Sequence, residues 1–66
     1  MKLIVNGESV EFQSEVTLVD IMKQLKLDGK VMATAVNMEV VKQDLWESFK
    51  PANGDKIEML DFVGGG

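Results

Sequence analysis

The hydrophobic pattern of this chain changes period once and then changes back, and few folds accept that. Strand-like alternation over residues 2–6 and 10–12 gives way, over residues 16–27, to a spacing of about 3.6 residues. Leu18, Ile21, Met22 and Leu25 then share one stripe, with Asp20, Lys23 and Gln24 opposite. From residue 31 the strand composition returns. One amphipathic helix of roughly three turns, set among strands, has to bury its stripe on a sheet, because 66 residues supply no second long helix to receive it.

Local signals say where each segment starts and stops. Residues 2–6 read as a first strand, with Leu3 and Val5 on the core face and Lys2, Ile4 and Asn6 on the other. Asn6-Gly7 supplies the positive backbone angles of a tight hairpin, and Val10-Glu11-Phe12 is the return strand. Thr17 is placed to cap the helix, Asp20 to reach back to it, and Val16 to staple against Ile21. Asp28-Gly29 is expected to end the helix, with glycine in the left-handed position. Residues 31–37 form the next strand, with Ala33 and Ala35 expected where sheet and helix approach closely, and residues 39–42 a short fourth strand. Leu45, Trp46 and Phe49 then recur at helical spacing, a turn or two laid over the edge of the core and anchored by Trp46. Pro51 and Asn53-Gly54 mark a loop, and residues 56–63 are the last strand.

The order strand, strand, helix, strand, short strand, helical turn, strand is that of an α+β domain of the β-grasp, or ubiquitin-like, type. It implies a mixed sheet of about five strands with one main helix across one face. Residues 1–66 are expected to form one such domain, with the last strand central beside the first and residues 64–66 a flexible glycine tail.

Composition limits the chemistry. The chain has no Cys, His, Tyr or Arg, so it lacks a thiol nucleophile and the usual acid-base side chain near neutral pH. A transition-metal site would rest on carboxylates alone, and none is expected. A net charge of -4 disfavours nucleic acid as a partner and favours proteins with basic docking surfaces. The apolar start is too short for a signal peptide, and no run is long enough to span a bilayer, so a cytoplasmic location away from membranes is expected. An enzyme in its own right is a poor fit to this inventory.

What the inventory leaves is the end of the sequence, where Phe62-Val63 runs into Gly64-Gly65-Gly66. Glycines without Cβ atoms can enter a channel closed to other residues. If Ile57 and Met59 face the helix, then Glu58, Leu60 and Phe62 face away from it, and Ile4 on the neighbouring strand shares that outer side. Ile4, Leu60 and Phe62, with Val63 after them, are the expected partner-binding patch, to which Asp61 adds charge.

Several features together resemble the thiamine-biosynthesis sulfur carriers, the ThiS family, over essentially the whole length. They are Val5-Asn6-Gly7-Glu8 at the first turn, the helix begun by Thr17, Ala35-Val36-Asn37, Trp46, Gly54-Asp55-Lys56-Ile57 and the Phe62-Val63-Gly64-Gly65-Gly66 end. A departure is Lys42-Gln43, where some members carry Pro-Arg. The resemblance implies a carrier that is acted upon, binding no cofactor itself. A ubiquitin-activating-like adenylyltransferase would use ATP to adenylate the Gly66 carboxylate. Sulfur from a donor such as a cysteine desulfurase system would replace AMP, and the resulting thiocarboxylate would serve thiazole synthase. Gly64 and Gly65 would give the tail its access. The diglycine end is shared with the small subunit of molybdopterin synthase and with ubiquitin-like modules that are never activated, and both remain alternatives at this level.

Overall fold

A computed structural model describes residues 1–61 of the chain. Its elements are β1 (Lys2–Val5), β2 (Glu8–Glu11), α1 (Leu18–Gln24), β3 (Val31–Val36), β4 (Glu39–Val40), a 3₁₀ turn (Gln43–Leu45) and β5 (Lys56–Asp61). The five strands form one sheet in the order β2-β1-β5-β3-β4. β5 is central, parallel to β1 and antiparallel to β3. This is the mixed sheet with one helix expected from the sequence.

The hairpin forms as its turn residues dictate. Asn6 and Gly7 take φ of 50° and 83°, and Val5 lies opposite Glu8, so two residues close the turn and β2 begins at Glu8 rather than Val10. The Asn6 side chain does more than turn the chain: its Oδ1 accepts the Met59 N–H at 2.8 Å, tying the hairpin to β5.

Helix α1 begins as expected and ends sooner. Asp20 N–H donates to Thr17 Oγ1 at 3.1 Å and Thr17 N–H donates to Asp20 Oδ2 at 2.9 Å, a complete capping box. At the other end Leu27 N–H donates to Met22 O and Lys26 N–H to Lys23 O, the paired bonds of a Schellman motif. The left-handed residue in it is Lys26, at φ 61°, not Gly29. Gly29, at φ 79°, belongs to a separate turn closed by Lys30 N–H to Leu27 O. Leu27 explains the early stop: it packs against the core from beyond the helix, which a continuing helix would not allow.

The core lies between the sheet and α1. Leu3, Val5, Leu18, Ile21, Met22, Ile57 and Met59 are its centre, with Trp46 closing one side. Trp46 Nε1 donates to Val41 O at 2.8 Å, so its one polar atom is satisfied where it is buried.

β3 corrects the expectation for the alanines. Thr34 and Val36 face the helix, while Ala33 is exposed and Ala35 half-buried on the other side. The cause is a bulge: Ala33 lies opposite Leu60 and Val31 opposite Asp61, which leaves Met32 as an extra residue and shifts the alternation. Thr34, only 1% exposed, is left with an Oγ1 that has no hydrogen-bond partner among the described residues. The β3–β4 turn carries a second local cost, because Met38 holds φ 72° with its side chain 90% exposed.

Three outcomes follow from these features. Thr34→Val is expected to raise the unfolding free energy by about 1 kcal/mol, since it removes an unsatisfied buried hydroxyl at nearly constant shape. Met38→Gly is expected to add about 0.5–1 kcal/mol by relieving the left-handed position. Urea melts check both, and an unchanged or lower midpoint contradicts them. The third concerns acid. The Thr17 N–H bond holds the Asp20 carboxyl below its ordinary value, so the folded state binds that proton less readily than the unfolded state does. Its contribution to stability is therefore complete above the ordinary carboxylate range and disappears as pH falls through the lowered value. Asp20→Ala is expected to lose stability at neutral pH and to converge with the parent in acid.

Candidate functional site

Alternation divides every strand between two faces, and only one face is covered by α1. On the uncovered side β1 presents Lys2 and Ile4, β5 presents Lys56, Glu58 and Leu60, and β3 presents Ala33 and Ala35. Val40 of β4 lies opposite Ala35 and extends this side to the sheet edge.

Ile4 and Leu60 share this face but do not meet. Ile4 lies opposite Lys56, so Leu60 stands four positions farther along β5, about 13 Å at ordinary strand rise. Ile4 is half-buried, with charged Lys2 and Lys56 as its strand neighbours, whereas Leu60 is 62% exposed. The neighbours of Leu60 are instead Ala33, directly across the ladder, and then Ala35 and Val40. Phe62, Val63, Gly64, Gly65 and Gly66 lie outside the described residues.

Ala33, Ala35 and Val40 thus join the outer surface without having been expected there. The available signal was the spacing of Val31 and Val36, an odd number of residues apart. Both can lie against the core only if the alternation between them is broken, which is what the bulge does. The two small side chains leave a hollow of about 490 Å³ whose lining includes Leu60, Val40, Met59 and Glu58.

The start of β5 is held from both sides. Asn37 Oδ1 accepts from Lys56 N–H at 3.0 Å, while Asn37 Nδ2 donates to Asp55 Oδ1 at 3.0 Å. Asp55 Oδ2 in turn accepts from Ala52 N–H at 2.8 Å. Ile4 N–H donates to Asp55 O, and Asn6 N–H to Ile57 O. The start of β5 is therefore pinned by both neighbouring strands, and its course as far as Asp61 is set by backbone ladders. Among the described residues no group of three acidic side chains is arranged to hold a metal ion, and no helix is long and apolar enough to cross a membrane.

A family model, the ThiS family, matches residues 3–66. The chain is similar to a protein named thiazole synthase from Paramagnetospirillum magneticum, with 33% identity over 66 residues. That match takes in all of this chain, which spans about a fifth of the length of that relative (20%). It is 28% identical over 65 residues to a protein named sulfur carrier protein ThiS from Bacillus subtilis, covering 97% of this chain and 98% of that one. Among solved structures it is similar to the crystal structure of a thiamine biosynthesis protein (ThiS) from Geobacter metallireducens. There the TM-score is 0.79 at 27% identity, with each chain covered completely.

The division into faces makes a test. Leu60→Ser is expected to change stability by no more than about 0.5 kcal/mol, as for an exposed site. Met59→Ala, one residue away and buried, is expected to cost about 2–5 kcal/mol. Equal losses in thermal or urea melts would show that the two residues do not lie on opposite faces.

Proposed function

This chain belongs to the ThiS family, and from that membership we propose that it is a sulfur carrier for the thiazole ring of thiamine, in which Gly66 bears the sulfur. The observation that carries this reading is the extent of the family match, which runs from the first strand through Gly64, Gly65 and Gly66. It favours a thiazole-forming recipient over a molybdopterin-forming one, and an activated carrier over a ubiquitin-like module that is never activated.

The chemistry is that of a carboxylate made reactive by a partner. A carboxylate is a poor electrophile because its negative charge resists attack and an oxide is a poor leaving group. In the proposed sequence a ubiquitin-activating-like adenylyltransferase transfers AMP from ATP to the Gly66 carboxylate and releases pyrophosphate. The terminal sulfur of a persulfide donor, such as a cysteine desulfurase system supplies, attacks the acyl carbon and AMP departs; a second thiol then reduces the resulting acyl disulfide, leaving the thiocarboxylate on Gly66 and a disulfide on the donor side. Thiazole synthase then takes the sulfur. This chain supplies no acid, base or metal for those steps. Its part is to be gripped by its folded body and to present a terminus narrow enough for an enclosed site, for which Gly64 and Gly65 are suited. Ile4, Leu60, Phe62 and Val63 are proposed to contribute to partner contact on the outer side. A cytoplasmic location, where ATP is available to the activating partner, belongs to the same proposal.

Intact mass spectrometry of the protein isolated from its own cells tests the reading: a fraction is expected with one oxygen replaced by sulfur, localised to Gly66. Deleting Gly66 is expected to abolish ATP-pyrophosphate exchange with the adenylating enzyme while leaving the thermal melt unchanged. Exchange at the parent rate in the deleted protein would overturn the proposal.

A further inference from the structure

Asparagine followed by glycine is a dipeptide whose backbone readily attacks its own side chain, because no Cβ on the glycine hinders the approach and the glycine dihedrals are free. The chain holds two such pairs, Asn6-Gly7 after β1 and Asn53-Gly54 before β5. Their surroundings differ at the atom that decides reactivity. Both side-chain carbonyls accept a backbone N–H from another strand: Asn6 Oδ1 from Met59 at 2.8 Å, Asn53 Oδ1 from Lys2 at 2.7 Å. Each bond draws charge from the amide carbon and stands where the oxygen of a tetrahedral intermediate needs a donor. The nucleophile is the nitrogen of the following glycine. Gly54 N–H donates to Lys2 O at 2.7 Å, so Lys2 holds both reacting groups of that pair at once. Gly7 N–H donates no hydrogen bond among the described residues, and Asn6 and Gly7 are both exposed.

We propose that Asn6-Gly7 is a site of covalent modification, a succinimide-forming pair that converts Asn6 to aspartate or isoaspartate in the folded protein, while Asn53-Gly54 is held unreactive. The Gly7 nitrogen gives its proton to a solvent base and bonds to Asn6 Cγ, closing a ring. The Cγ–Nδ2 bond breaks, and Nδ2 leaves as ammonia with a proton from solvent. Water then opens the ring. Opening at Cγ restores the ordinary main chain with an aspartate side chain, and opening at the main-chain carbonyl sends the chain through the former side chain, as isoaspartate. One water is taken up for each ammonia lost, and no other reactant is needed. The inference stands on the folded body alone and does not depend on the carrier reading.

The two products are not equivalent at this position. Aspartate keeps an oxygen where Oδ1 stood, and that oxygen still accepts from Met59 N–H. Isoaspartate spends the carbonyl on the main chain and adds a methylene to a turn that closes in two residues, with Val5 opposite Glu8. The register of β1 with β2 and the bond to Met59 cannot both survive that insertion, so the hairpin is uncoupled from β5. The reaction is a slow, irreversible clock on the tie between the first hairpin and the central strand.

The test is peptide mass spectrometry of the full chain incubated at mildly alkaline pH, folded and in urea, with isoaspartate distinguished from aspartate by electron-transfer fragmentation. In the folded protein Asn6 is expected to convert at least about tenfold faster than Asn53. In urea the two are expected to react within about twofold of each other, since unfolding frees Gly54 N–H from Lys2. Asn37, followed by Met38, is the slow control in both. The isoaspartate form, separated by chromatography, is expected to exchange its Met59 amide hydrogen at least about tenfold faster than the parent, while Asn6→Asp exchanges it as the parent does. Conversion of Asn53 at the rate of Asn6 in the folded protein, or an Asn6 that reacts in urea and is inert when folded, overturns the proposal. Unchanged Met59 exchange in the isoaspartate form overturns it as well.

Discussion

The parallel pairing of β1 with β5 is the contact on which the rest of the molecule depends. Val5 lies opposite Ile57, so two stretches more than fifty residues apart must meet before the sheet has a centre. Parallel neighbours cannot be joined by a hairpin, and the chain between them becomes one long crossover that carries α1 and the β3–β4 edge. The helix, seven residues long, is too short to be stable alone. It exists because Leu18, Ile21 and Met22 find Leu3, Val5, Ile57 and Met59 already side by side. Bonds beside the short ladder reinforce it: Asn53 Oδ1 accepts from Lys2 N–H, Gly54 N–H donates to Lys2 O, and Asn6 Oδ1 accepts from Met59 N–H. Folding should therefore be limited by this distant closure rather than by the helix.

The same pairing decides where function can reside. A small domain spends its large apolar side chains on one face of the sheet, and here that face is covered by a single helix. The opposite face is left uncovered by the helix. Its apolar part lies over β5, β3 and β4, while the β1 side carries Lys2 and Lys56 around a half-buried Ile4. β5 belongs to both regions, so the strand that closes the core also carries Glu58 and Leu60 of the outer face.

Much of this was legible because the signals were local. The Asn6-Gly7 turn, the Thr17–Asp20 capping box, Trp46 as a core anchor and the inward pair Ile57 and Met59 follow from one or a few adjacent residues, and the structure agrees with each. The features that depart from the sequence expectation depend on something nonlocal. The helix stopped before Asp28-Gly29 because Leu27 had a place in the core, which outweighed the cost of a left-handed Lys26. Simple alternation assigns Ala33 and Ala35 to the core face, but a bulge, set by pairing with β5, shifts that alternation at Met32. The distance between Ile4 and Leu60 is likewise a matter of register, and alternation alone gives the face but not the position along it.

This division between face and terminus has an energetic logic. Fixing the backbone of a chain segment in a channel costs about 1–2 kcal/mol per residue, and glycine loses more freedom than any other residue. A tail made narrow enough for an enclosed site is thus poor at binding there, and affinity has to come from a surface already ordered before the partner arrives. The outer sheet is such a surface, since ladders on both sides of β5 hold Glu58 and Leu60 in place at no further conformational cost to the backbone. A modest hollow suits a carrier better than a large interface would. In the proposed carrier role such a face holds a partner only until the terminus has reacted and then frees it for the next.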